Sequence, residues 1–324
     1  MDLQPTDDQA ALVEMITAFA ADRFSIETVR SFGEQGGFDR SRWAELAALG
    51  TFGISVPEEQ GGVGLHFIDA VLVHEALGAS LVPGPLVAAT LASGVIDGVI
   101  DGTVVPCIIN VGSEGPLLVE NFRSSDVLLI IDDQGVGLAR CDDATGVDIG
   151  HPTDPTTPVT ILDSLPKTER IGDSDLARAW RWRGSLLASA QLAGNSAGST
   201  KLAVEYAKER EQFGRPIGSF QGLKHLLADS WIRTEMARSS VWAAGVTIDE
   251  PEVGSTDRAV AGARLTSARA ATENAKTCVQ VHGGMGFTWE VDAHLFLKRA
   301  WVLETRFGSI DDAAEVVADL YATR

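Results

Sequence analysis

Cysteine is scarce, positive charge is short, and long apolar runs are missing. Three cysteines occur, Cys107, Cys141 and Cys278, far apart and without CxxC spacing. That pattern fits neither a disulfide framework nor a thiolate zinc site and points to a reducing cytoplasm. Lysine and arginine number 26 against 45 acidic residues, a formal net charge of -19. This excess argues against nucleic acid, whose phosphates demand a basic stripe, and against an anionic membrane surface. No run is long enough to cross a bilayer, and the opening Met1–Pro5, followed by acidic residues, has neither the cationic start nor the apolar stretch of a signal peptide. What is present is 45% hydrophobic residues over 324 positions, enough for a large core and two or three domains.

Periodicity divides the chain into three. Thr6 and Gln9 form a capping-box pattern ahead of Leu12, Val13, Ile16 and Phe19 at helical spacing. Asp39 opens a second helix through Trp43 and Leu46, stopped by Gly50. Further helices follow through Ile68, Val71 and Leu72, and from Pro85 to Leu91, so residues 1–102 read as a helical domain. Residues 103–170 carry short β-rich runs split by Gly, Asp, Asn and Pro, the pattern of a small antiparallel β domain, with a turn-rich loop from His151 to Pro158. In residues 171–324 the helical period returns through about Asp175–Arg210, Gly222–Thr247, Ser255–Gly283 and Asp292–Leu303. Small residues such as Ala190, Ala193, Gly194 and Ala197 imply closely packed bundle helices, and the bundle tryptophans are expected to serve that packing. The fold class is therefore mainly α with a small β domain.

Two segments stand out. Arg210, Phe213, Gly214, Ile217, Phe220 and Gln221 join two bundle helices, and Gln280, Val281, Gly283, Gly284, Gly286 and Phe287 follow a third. Singly, each has an ordinary explanation: a helix-ending arginine offsets the macrodipole, and a glycine turn caps a helix. His282 has no second ligand at metal spacing. In order and at these spacings, however, the first segment resembles the R-x-x-F-G-x-x-I-x-x-F-Q joint of the acyl-CoA dehydrogenases. The second resembles that family's Q-x-x-G-G-x-G-F/Y turn, and Pro57–Gly62 adds to the match.

The resemblance implies FAD, an acyl-CoA substrate and an electron-transfer flavoprotein as acceptor. It further implies that Arg210, Phe213, Gln221, Gln280, Val281, Gly283 and Gly284 lie along the ADP half of a flavin shared at a subunit interface. Arg210 would give a charge-assisted fork to a pyrophosphate oxygen, Gln221 an amide contact, and the two glycines a backbone surface free of Cβ atoms.

The chain also departs from the family. The glutamate that removes the α-proton precedes a G-S/T pair in most members; here Phe307 precedes Gly308 and Ser309. In other members it lies on the first bundle helix, and counting back from Arg210 lands on Gly184, beside Arg183. Neither can accept a proton. Glu304, one turn before Phe307, is a weak substitute, expected as a solvated helix end. The T-E-P-x-x-G-S loop and W/Y-I-T/S-N strand that enclose the flavin ring are not found between Thr103 and Leu165. The features kept are those that reach a neighbour's flavin, and those lost serve a subunit's own. This pattern resembles the degenerate, shortened subunit of heteromeric α2β2 acyl-CoA dehydrogenases of bacterial steroid and cholesterol breakdown, paired with a full-length subunit. The alternatives are a homo-oligomeric enzyme using Glu304 as base and a non-enzymatic assembly or regulatory subunit without flavin.

Overall fold

The computed structural model describes residues 4–112 and 115–322; Met1 to Leu3, read above for a leader, lie outside the described residues. Helix α1 (Asp7–Arg23) starts as its cap requires, with the Thr6 hydroxyl accepting from Gln9 N while the Gln9 side chain accepts from Thr6 N. Two compact units follow, each discontinuous in sequence: Glu27–Ala70 with Pro83–Gly184, and Met1–Ile26 with Val71–Val82 and Ser185–Arg324.

The first of these units holds most of α2 (Ile26–Gln35), α3 (Arg40–Ala48), the start of α4 (Phe67–Ala79), α5 (Leu86–Ala92) and the small β domain. Asp39 caps α3 through Ser41 N and Arg42 N, as expected, whereas α2 was not foreseen. Trp43 is buried between Phe38 and Phe52, with ring centroids 5.3 and 4.3 Å away. The strands are β1 (Pro106–Asn110), β2 (Leu117–Glu120), β3 (Val127–Asp132), β4 (Gly135–Arg140), β5 (Gly146–Asp148), β6 (Val159–Leu162) and β7 (Glu169–Gly172). They form two sheets, β1-β3-β4-β7 and β2-β6-β5. Cys107, Val119, Leu128, Ile130 and Leu162 pack together in the core of this region.

The expectation of an antiparallel domain needs one correction. Strand β1 pairs in parallel with β3, from Pro106↔Val127 to Asn110↔Ile131. The intervening β2 belongs to the other sheet, so the chain crosses over and re-enters in its original direction.

The second unit contains α1, the end of α4, and a bundle of α6 (Ser174–Glu209, from Ser185), α7 (Gln221–Asp249), α8 (Thr256–His282), α9 (Ala293–Leu303) and α10 (Ile310–Ala322). Helices α7 and α8 pack along their length, and α8 also carries α9 and α10. Small residues bring backbones together, here α6 against α4 rather than against another of the four bundle helices: a Cβ on Gly194 would run into the Glu75 carbonyl and stand 2.7 Å from Ala79 N. A polar knot ties three helices, with Asn274 Oδ1 accepting from Arg233 Nε at 2.7 Å and Asn274 Nδ2 reaching Ser230 O at 2.8 Å and Ser196 Oγ at 3.0 Å.

The tryptophans divide. Trp180 is buried, but Trp231, Trp289 and Trp301 are 59%, 62% and 41% exposed, so the expected packing role fails for these three. Helical spacing does not distinguish a face that packs within the chain from one turned outward. No helix among the described residues is long and apolar enough to cross a membrane.

Candidate functional site

Helix α6 ends at Glu209, and the next residue, Arg210, opens a tight hairpin of β8 (Glu211–Gln212) and β9 (Arg215–Pro216). The Arg210 carbonyl closes it by accepting from Ile217 N at 2.7 Å. Both loop residues are left-handed, Phe213 at φ 54° and Gly214 at φ 76°, the pairing that suits a two-residue hairpin. An aromatic residue in this conformation is uncommon, and it projects the ring outward, 91% exposed. Phe220 supports the base of the hairpin, edge-on to Phe213 and beneath the Arg215 guanidinium at 4.1 Å. Gln221, exposed, is the first residue of α7.

The second segment meets the first through one stacked pair. His282, the last residue of α8, holds its Nδ1 2.8 Å from the Cys278 carbonyl and lays its ring on Tyr206 at 4.1 Å. Tyr206 is one turn before Arg210, whose N donates to the Tyr206 carbonyl. The end of α6 and the glycine turn are thus neighbours. Gln280 is exposed, Val281 is buried and offers a ligand only its backbone, and Gly283 turns at φ 64°. A Cβ on Gly283 or Gly284 would meet nothing within 4 Å, so this backbone faces open space.

These residues fit the ADP half of a flavin. They combine a guanidinium with no hydrogen bond or ion pair among the described residues, exposed amides and bare backbone. The arrangement is one-sided, because nothing among them supplies an acid or a base.

At the two positions singled out in the sequence for a base, the structure holds Gly184 and Phe307. Gly184 is a buried residue of α6, and the neighbouring Arg183 guanidinium lies 5.3 Å over the Phe67 ring. Phe307 sits in the turn between α9 and α10 at φ 58°. Ser309 and Asp312 start α10 by reciprocal capping, Ser309 N donating to Asp312 Oδ2 at 2.7 Å and Asp312 N to Ser309 Oγ at 3.1 Å.

Glu304 is not the solvated helix end expected. It is half-buried, accepts from Thr272 Oγ1 at 3.1 Å, and lines a cleft of about 700 Å³ with Arg233, Met236, Leu265, Arg269 and Ile310.

A buried histidine lies in the same compact unit. His74 on α4 faces the Gln191 amide, Nδ1 to Nε2 3.0 Å. Burial, with added repulsion from Arg306, pushes its pKa down to about 3. The unfolded chain takes up a proton there below about pH 6.5 and the folded chain does not, so this contribution is complete above that pH and is lost as pH falls toward 3. Stability should therefore fall by as much as ~1.4 kcal/mol per pH unit between pH 6 and 4, and His74→Asn should flatten that slope in urea titrations.

Sequence reasoning passed over Tyr206, Thr272 and Arg264. Only Arg264 left a signal, as a lone cation among Ala261, Ala263 and Ala268.

The family model described as acyl-CoA dehydrogenase, N-terminal domain, matches residues 6–114, and that for the acyl-CoA dehydrogenase C-terminal domain matches residues 183–320. Acyl-CoA dehydrogenase IpdE2 of Mycobacterium tuberculosis is 31% identical over 92% of this chain and 92% of its own length. Acyl-CoA dehydrogenase FadE34 of the same organism is 33% identical over 91% of this chain, which spans 45% of that longer protein. Among solved structures, the ChsE4–ChsE5 complex from Mycobacterium tuberculosis contains a chain that superposes with a TM-score of 0.87 at 23% identity, covering 100% of both chains.

Proposed function

The chain belongs to the acyl-CoA dehydrogenase family, and from that membership we propose that it is the complementary subunit of a heteromeric α2β2 enzyme. In this reading it completes the ADP end of a flavin site whose ring pocket and catalytic glutamate come from a longer, full-length partner. The observation that carries it is the one-sided site: Arg210, Gln221, Gln280, Gly283 and Gly284 are all exposed, while Gly184 and Phe307 leave both base positions without a carboxylate.

FAD, the cofactor of this family, accepts the hydride released from the β-carbon of an acyl-CoA when bound. This chain's own residues bind and orient. Arg210 neutralises a pyrophosphate oxygen, Gln221 and Gln280 offer amide hydrogen bonds, and the glycine turn lets backbone approach the dinucleotide. Phe213, at the hairpin tip, reaches across the subunit boundary and excludes water there. The substrate is a bulky acyl-CoA of the steroid-derived kind, the electron acceptor an electron-transfer flavoprotein, and the compartment the cytoplasm. The ChsE4–ChsE5 structure, by its own description a complex, supports the pairing through likeness of fold. Co-expression with a full-length dehydrogenase subunit should give the native mass of a heterotetramer. A lone chain that forms a homo-oligomer with full turnover would reject the reading.

One observation favours a second reading. Glu304 faces a cleft wide enough for a ligand, so it is placed to act as an unorthodox base in a homo-oligomer. If so, Glu304→Gln abolishes turnover of the isolated chain; turnover that is unchanged, or absent before the substitution, removes that reading.

A further inference from the structure

Helix α7 turns an apolar ridge outward. Ile232 and Met236, one turn apart, are 54% and 59% exposed, and the exposed Asp229 precedes them on the same side of the helix. Adjacent large apolar side chains at this exposure mark a contact surface, unlike single scattered ones.

The ridge borders the cleft that holds Glu304. Leu265 and Ala268 of α8 line it with Met236 of α7 and Ile310 at the start of α10, so much of its lining is apolar. One side is tied to α8: Arg264, 2% exposed, donates from Nη2 to the Arg306 carbonyl at 2.6 Å and to the Gly308 carbonyl at 3.1 Å, straddling Phe307. A cleft fixed in this way costs little to fill. Its charges are committed within the chain, with one exception. Arg233 donates to Asn274 and Ser230, Glu273 pairs with Lys276 at 3.1 Å, and Glu304 accepts from Thr272. Arg269 is exposed, and its guanidinium has no hydrogen bond or ion pair among the described residues. The Asp229 carboxylate on the ridge is uncommitted in the same sense.

Ridge and cleft are therefore complementary in polarity and charge, and both belong to this chain. They also match in length, since the helical rise gives about 10 Å from Asp229 to Met236 and about 12 Å from Leu265 to Glu273. We infer that this face binds a second copy of the same chain, the ridge of each copy entering the cleft of the other, with Asp229 of one copy facing Arg269 of the other. Such a contact is isologous and closes after two copies. The inference deepens the α2β2 reading, on which it rests for two copies per molecule, by naming the surface through which they meet. Gln221 lies about 22 Å from Met236 along α7, so the flavin-side edge stays open to the longer subunit.

The test is native mass by analytical ultracentrifugation. The full chain alone should sediment as a dimer. Ile232→Glu or Met236→Glu, each putting a carboxylate into an apolar contact, should raise its dissociation constant at least about tenfold. Both positions are exposed, so melting temperatures should stay within about 1 °C of wild type. Asp229→Arg and Arg269→Asp should each weaken the dimer roughly tenfold, and the double variant, with the charges exchanged, should recover to within about threefold of wild type. In the complex with a full-length subunit, Ile232→Glu should halve the mass to one chain of each kind while flavin per pair is unchanged. A wild-type chain that is monomeric at every concentration, a dimer indifferent to the ridge substitutions, or a double variant no better than the singles overturns the inference. So does an Ile232→Glu variant that loses the full-length subunit instead, which would assign the face to that subunit. The mass of the lone chain needs neither flavin nor partner, so its failure leaves flavin sharing standing, and failed flavin sharing leaves the dimer untouched.

Discussion

Arg210→Ala in the purified complex weakens flavin retention roughly ten- to hundredfold, the expected cost of one charge-assisted contact to a pyrophosphate. Its guanidinium makes no hydrogen bond or ion pair among the described residues, so the substitution removes nothing from the fold that the structure can identify. The melting temperature of the isolated chain should stay within about 1 °C of wild type, since exposed substitutions away from special contacts are close to neutral. Equilibrium dialysis of the complex against flavin-free buffer, followed by absorbance, checks the first expectation. Unchanged retention would favour an assembly subunit that binds no flavin.

Glu75→Ala acts on stability instead. Glu75 lies on α4 with its side chain 10% exposed, and it accepts from Arg238 Nε at 2.6 Å and Trp242 Nε1 at 2.7 Å. Among the described residues, truncation leaves a largely buried guanidinium with Glu235, at 2.6 Å, as its remaining ion-pair partner, and an indole donor that has lost its acceptor. Breaking a buried pair from one side costs about 3–5 kcal/mol. The urea midpoint should fall accordingly, and Glu75→Gln, which can still accept from Trp242, should lose less. A change below about 1 kcal/mol would mean that water or a rearranged Glu235 satisfies Arg238. Helix α6 must approach α4 closely enough for Gly194 to lie against the Glu75 carbonyl, and that approach helps fix the carboxylate opposite α7.

Local signals were the legible ones. Thr6 with Gln9, Asp39 and Gly50 mark helix ends through short-range hydrogen bonds and a positive φ, and the structure has each of them. Helix α10 carried a comparable mark in Ser309 and Asp312 but was passed over, and α2, with Val29 and Phe32 as its buried residues, offered too short a run to read. The parallel pairing of β1 with β3 depends on where β2 goes, which no window around either strand records.

The candidate site divides in the same way. Arg210, Phe213, Gln221, Gly283 and Gly284 are visible as a spaced pattern, because the resemblance that singles them out depends on residue type and order. The stacking of His282 on Tyr206 was not, since it arises from the packing of α6 against α8. Phe307 was visible as an absence, but the buried cation that straddles it became apparent only once α8 and the turn after α9 were placed together. Glu304 shows the converse. Its sequence position resembled an exposed helix end, whereas Thr272 and the neighbouring cleft give it a partner and a cavity.

The most direct test is flavin absorbance per chain, measured on the protein purified alone and on the same protein co-purified with a full-length dehydrogenase subunit. The account predicts a colourless lone chain and a yellow heterotetramer with one flavin per pair of unlike chains. A yellow lone chain that oxidises acyl-CoA would contradict it, placing both the base and the whole flavin pocket within this subunit.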